Sequence, residues 1–179
     1  MKPSLVLPLL AALVMTPCFA RSPTRPTALR KLDIAVGRWT FHGQTLKTAF
    51  SKAGAWIWQA DCRWSAPDRL FLECAFDNVW NGKPVRSLVV DTYNTRDHRY
   101  WHYEMFAAGA GGRHPFASTL AIHGPVWVES GGGSGSRKIR QRIVYRYQST
   151  SRVGVAIELS RDGIHWITID RGEGVKNHP

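Results

Sequence analysis

The sequence predicts an all-β protein: one antiparallel up-and-down barrel of about ten strands, with a short helix in front of it. Three observations carry this. The stretch AWIWQADCRW-SAPD-RLFLECAFDNVW, residues 55–80, alternates twice with a period of two. Trp56, Trp58, Ala60, Cys62 and Trp64 share one face against Ile57, Gln59, Asp61 and Arg63. After the turn, Leu70, Leu72, Cys74 and Phe76 oppose Phe71, Glu73, Ala75 and Asp77. Such alternation marks a half-buried strand, and Ser-Ala-Pro-Asp is turn chemistry. Second, turn signals recur along the rest of the chain at the spacing of short strands. Third, no long stretch of helical period follows Val36.

The chain opens on Met1-Lys2 and an apolar run from Leu5 to Met15, then Cys18-Phe19-Ala20. Small residues at positions 18 and 20 are what a signal peptidase reads, so residues 1–20 are expected to be a cleaved signal peptide. The run is too short for a membrane anchor, and Pro17 speaks against lipid attachment at Cys18. Cleavage after Ala20 leaves 159 of the 179 residues, which suits one domain, residues 29–176. Residues 21–28 (RSPTRPTA) read as a disordered lead-in. A short helix over 27–36 is expected, with Thr27 as N-cap and Leu29, Leu32 and Ile34 on its apolar side.

Strands are then expected over 37–48, 55–64, 69–80, 83–94, 98–107, 116–123, 126–130, 138–148, 152–160 and 164–171. Turns stand between them at Asn81-Gly82, Asn94-Thr95-Arg96-Asp97, Gly124-Pro125, Ser149-Thr150-Ser151 and Asp162-Gly163. In the last of these, Ile157 and Leu159 should pair with Ile164 and Trp166 across a tight hairpin. Either a barrel or a sandwich fits, and closure favours the barrel because it removes edge strands. The glycine-rich stretches 107–113 and 131–136 read as loop tips, since neither carries the Gly-Lys-Ser/Thr ending of a phosphate loop. In 138–148, Ile139, Gln141, Ile143, Tyr145 and Tyr147 form the inward face, leaving Lys138, Arg140, Arg142 and Arg146 as a basic outer stripe.

Removal of the leader takes away Cys18 and leaves Cys62 and Cys74. In an exported protein such a pair is expected to form a disulfide. One register sets Cys62 opposite Cys74, Arg63 opposite Glu73 and Trp64 opposite Leu72 at once. The formal charge is +11, of which the leader holds only Lys2, so the exported chain carries +10. A basic exported protein meets anionic lipid or acidic polymers at the envelope, and its compartment, periplasmic or extracellular, argues against nucleic acid. Oligomeric state is not legible.

No catalytic constellation stands out. None of the seven histidines stands at the helical spacing of a zinc site: His98 and His102 are four apart but on a strand, too far apart for one metal, and no metal or cofactor is expected. Asp61, Glu73 and Asp77 fall on the outer face of the main hairpin; Glu104 is a candidate for an inward position, without a second acid to pair with it. No Gly-x-Ser-x-Gly elbow is present. Aromatic residues are the strongest remaining signal, with eight tryptophans in the chain. Trp56 and Trp58, Trp101 and Tyr103, and Tyr145 and Tyr147 each share a strand face, and are the candidate lining of a cavity for an apolar or flat ligand. The expected function is therefore that of an exported binding module without chemistry. Its rivals are an isomerase-like or haem-binding barrel centred on His165 or His102, and an envelope protein that holds anionic surfaces through Arg140, Arg142 and Arg146.

Gly37-Arg38-Trp39, Cys62-Arg63-Trp64, Phe71-Leu72-Glu73-Cys74, Tyr93, Gly124-Pro125-Val126-Trp127 and the run from Glu158 to Trp166 occur in an order that resembles the secreted calycin-like family called "domain of unknown function 1579". The resemblance covers nearly the whole chain after the leader and implies a lipocalin-like barrel, with no settled activity. In such barrels the Gly-x-Trp tryptophan plugs one end, which assigns that role to Trp39. A basic residue near the chain end covers its ring by cation–π contact, and Arg171 and Lys176 are both candidates. Gly37, Trp39 and Gly43 also resemble the opening of haem-binding nitrobindin barrels, but Phe41 replaces a glycine of that pattern. The resemblance would make His165 the iron ligand.

Overall fold

The computed structural model describes residues 24–80, 83–107, 115–131 and 139–177. The expected leader, most of both glycine-rich stretches, and Lys138 lie outside the described residues. The ten strands are β1 (Gly37–Thr45), β2 (Gly54–Trp64), β3 (Leu72–Trp80), β4 (Lys83–Asn94), β5 (Arg99–Phe106), β6 (Phe116–His123), β7 (Val126–Ser130), β8 (Arg140–Ser149), β9 (Arg152–Ser160) and β10 (Ile167–Lys176). Each pairs antiparallel with its neighbour in sequence, and β10 returns to pair with β1, closing the barrel. Closure leaves no strand edge unpaired. The chain thus adopts the lipocalin-like barrel expected of it.

The main hairpin has the expected register: Cys62 faces Cys74, Arg63 faces Glu73 and Trp64 faces Leu72. The two cysteines form a disulfide with their Cα atoms 4.0 Å apart.

One end of the barrel is closed by a 3-10 helix, Thr27–Ala35. Its period of three puts Leu29, Leu32 and Ala35 on one side, and both leucines are fully buried. Pro26, not Thr27, occupies the cap position; its carbonyl accepts from the Leu29 N–H at 3.0 Å. Arg25 pairs with Asp33 at 2.7 Å and its guanidinium lies 4.2 Å from the Trp64 ring centroid. Trp39 sits on this plug, donating from Nε1 to the Ala35 carbonyl at 2.8 Å. Lys176 covers its ring, with Nζ 4.8 Å from the centroid and donating to the Ile34 carbonyl at 3.0 Å. Arg171 is not the covering residue: it stands opposite Gln44 on the outer face of β10.

The last hairpin differs from expectation. Leu159 pairs with Ile167, and Ile164 and Trp166 lie outside the strand. Asp162 causes this. Its Oδ1 accepts from the backbone N–H groups of Ile164 and His165, both at 2.8 Å, and its Oδ2 meets the His165 ring at 2.6 Å. An aspartate that bonds its own downstream backbone holds a wider turn than a two-residue hairpin, so β10 starts three residues late.

Candidate functional site

Packing from the far end of the barrel inward begins with glycine. The Trp56 indole lies across Gly43 and Gly172, at both of which a Cβ would collide with it. Trp56 stacks on Trp58 with centroids 4.1 Å apart, and Phe41 follows at 6.2 Å from Trp58. Trp56 and Trp58 are therefore buried as expected, but they fill the barrel and take no part in the cavity wall.

The cavity lies between this aromatic layer and the helical plug. Trp39, Phe41, Ala60 and the Cys62–Cys74 disulfide form one side, continued by Phe76 and Val89. Leu120, Trp127, Tyr145 and Tyr147 form the other, and Ala35 of the plug closes the bottom. The space between these walls is about 530 Å³, its solvent-side part included. Aromatic rings from both sides line it.

Two ionisable residues interrupt this wall, Asp91 and His102, directly opposite each other on β4 and β5. His102 Nδ1 meets Asp91 Oδ1 at 2.8 Å, and its Nε2 faces Glu129 Oε2 at 3.6 Å. Ser118, opposite His102 on β6, donates to Glu129 Oε1 at 3.0 Å. All four are buried, with 7%, 8%, 4% and 2% exposure for Asp91, His102, Glu129 and Ser118. Burial by itself lowers the pKa of His102, but the charges of Asp91, Glu129 and the nearby Glu104 outweigh it and hold the ring up at about 9. An imidazolium bonded to Asp91, with the Glu129 carboxyl close by, balances charges that would otherwise be costly to bury. Burial pushes the Glu129 carboxyl up, against the pull of His102 and Ser118. Burial also raises both tyrosines of the wall.

Of the expected lining, Tyr145 and Tyr147 are in the wall, Trp127 packing on Tyr147 at 4.7 Å. Trp101 and Tyr103 are not: they occupy the outer face of β5, Tyr103 41% exposed. The inward face belongs to Tyr100, His102 and Glu104. Both faces of this strand carry aromatics, so alternation alone does not choose between them. The choice is made by Asp91 across from His102, and by the Tyr100 hydroxyl donating to the Ala28 carbonyl of the plug at 2.8 Å. His165 is no haem ligand inside the barrel: it lies in the 161–166 turn, its side chain 84% exposed. Among the described residues no group of three or more His, Cys, Asp or Glu could hold a metal. Of the basic stripe, Arg142 pairs with Glu158 and stacks 4.1 Å over Trp166, while Arg140 and Arg146 remain exposed.

Sequence reasoning missed Asp91, Ser118 and Glu129. The signal was parity. Asp91 shares a face with Val85, Ser87 and Val89, and Glu129 shares one with Trp127, so each stands where an apolar residue is due.

No protein-family model matches the chain, and no curated protein matches it in sequence. Among solved structures it is similar to Rv2717c from M. tuberculosis, with a TM-score of 0.56 and 13% identity over 86% of this chain and 99% of that one. It is also similar to the S-type phycobiliprotein lyase CPES from Guillardia theta, with a TM-score of 0.58 and 7% identity over 87% of this chain and 95% of that one. At these identities the likeness is one of fold.

Proposed function

We propose that this chain is an exported barrel that binds a small apolar or amphipathic molecule and performs no chemistry of its own. The observation that carries the reading is an aromatic-walled cavity into which one polar pair, Asp91 and His102, converges. Apolar walls with a few placed polar groups are the usual make-up of a small-molecule site. The aromatic lining favours a flat or apolar ligand. A disulfide between Cys62 and Cys74 suits an oxidising compartment, as the expected leader does. The barrel fold held in common with a phycobiliprotein lyase supports a small-molecule role by analogy of fold alone.

Catalysis at His102 is the rival reading, favoured by the buried Asp91–His102–Glu129 arrangement. His102 Nδ1 is bonded to Asp91 and the surrounding carboxylates hold the ring's pKa up at about 9, which favours a charged structural role over that of a general base near neutral pH. The test of the binding reading is tryptophan fluorescence of the protein lacking residues 1–20, titrated with oleate, a short-chain phosphatidylcholine and naphthalene. Trp39 and Trp127 stand in the wall, so a saturable shift or quench with at least one of these is expected. The same titration should be unchanged in Tyr103→Ala, whose side chain is outside. No response to any of the three would defeat the proposal.

A further inference from the structure

We infer that the cavity selects a ligand whose polar end is a cation or an N–H donor, such as a primary amine or amidine carried on a flat apolar body. This rests on the binding reading above and names the ligand class of that same site. The argument begins with charge. The chain as a whole is strongly basic, at +11, yet the inside of its barrel is acidic. Asp91, Glu104 and Glu129 act together on the single His102. Three carboxylates against one imidazole leave the cluster negative even when Glu129 holds a proton and His102 is charged. No lysine or arginine lines the cavity among the described residues. Lys176, at the plug end, lies on the Trp39 ring with its ammonium given to the Ile34 carbonyl.

Hydrogen-bond capacity points the same way. Asp91 accepts from His102 through Oδ1, which leaves its second oxygen for whatever enters. Ser87 lies on the same inward face of β4 with Val89 and Asp91; it is 7% exposed, and its hydroxyl has no partner among the described residues. Glu104, opposite Val89, stands diagonally between Ser87 and Asp91. Asn78 on the neighbouring strand likewise holds a buried side-chain oxygen without a partner. Ser87 and Asn78 stand beside the cavity and not in its wall; buried polar groups are nearly always satisfied, so orphans of this kind mark a place for a water or for the polar end of a ligand. Of these orphans Asn78 Oδ1 can only accept, while the Ser87 hydroxyl can accept or donate. Trp58 Nε1 is an orphan donor, and it stands opposite Asn78 in register. A carboxylate-headed ligand would bring a fourth negative charge into this low-dielectric space, where like charges repel far more than in water. An amine head supplies the missing donors and the missing charge together.

The experiment uses three one-ring probes of matched body, benzylamine, toluene and benzoate, titrated at pH 7 and followed by tryptophan fluorescence. Benzylamine is expected to bind at least about tenfold more tightly than benzoate, the cost of placing a like charge beside unpaired carboxylates. In Asp91→Asn the preference of benzylamine over toluene should shrink by about tenfold, as for loss of one charged hydrogen bond. If that variant does not fold, the wild-type ranking decides alone. Benzoate binding as tightly as benzylamine, or an unchanged preference in Asp91→Asn, overturns the inference. Toluene bound with no gain for benzylamine overturns it while leaving the binding reading standing. No binding of any probe overturns it as well, and together with no response to oleate, phosphatidylcholine or naphthalene overturns the binding reading too.

Discussion

His102 is where one residue's physics is most open to test. Its pKa is raised from the ordinary 6.5 to about 9 in the folded state, so the folded chain holds this proton more tightly than the unfolded chain does. The resulting stability is fully present below pH 6.5 and is lost as pH rises through 9. Asp91, Glu129 and Glu104 face the ring, and Tyr145 stands within their field. Glu129, also raised, acts with the same sign at lower pH, since charging it in place costs stability. The melting temperature should therefore fall between pH 6.5 and 9, and His102→Asn should flatten that fall. A wild-type melting temperature constant across the window would contradict the burial of a charged ring. This cluster was poorly legible in the sequence. Alternation gives the face of a strand but not its sign, and RYWHYEMF has aromatics on both faces. Only the pairing of β4 with β5, which sets Asp91 against His102, tells inside from outside. Tyr145 and Tyr147 were legible because the other face of their strand is arginine, which has no place in an apolar core.

At the scale of elements, the β2–β3 hairpin was read almost completely. Its register followed from three facing pairs that agree, Cys62 with Cys74, Arg63 with Glu73 and Trp64 with Leu72, and a slip of one residue would break all three. The bounds of β4, β6, β7 and β9 were equally plain because explicit turn residues flank them. β10 was misplaced because Asp162-Gly163 looks like a tight hairpin turn, while the Asp162 carboxylate bonds the backbone beyond it and widens the loop. The plug was expected as a helix capped by Thr27; proline's fixed φ puts Pro26 at that position instead. The disulfide closes a loop of sequence separation 12 and lies in the cavity wall. The Cys62→Ala/Cys74→Ala protein should lose roughly 3 kcal/mol of stability on the chain-entropy account. Chemical denaturation measures this, and an unchanged midpoint would mean that the bond carries no structural weight.

The whole molecule is a closed wall with most of its inner space taken by rings. A ten-strand barrel can hold a ligand or fill itself with side chains, and this one does both. Trp56, Trp58 and Phe41 fill one part, and the cavity between Trp39, Tyr145 and Tyr147 remains. The sequence shows the aromatic content but not its division between filler and wall, because that depends on Gly43 and Gly172 giving the Trp56 indole a bed to lie on. The central claim is that this cavity is a binding site. Its most direct test is calorimetric titration of 1-naphthylmethylamine into the wild type and into Ala60→Leu, which pushes a larger side chain from the wall into the cavity. Overpacking of this kind costs about 1–3 kcal/mol of stability, so a melting curve first establishes that the variant is folded. The account predicts saturable one-to-one binding by the wild type and affinity at least about tenfold weaker in Ala60→Leu, as for a site largely filled. Equal affinity in the two proteins, or no heat from the wild type, would contradict it.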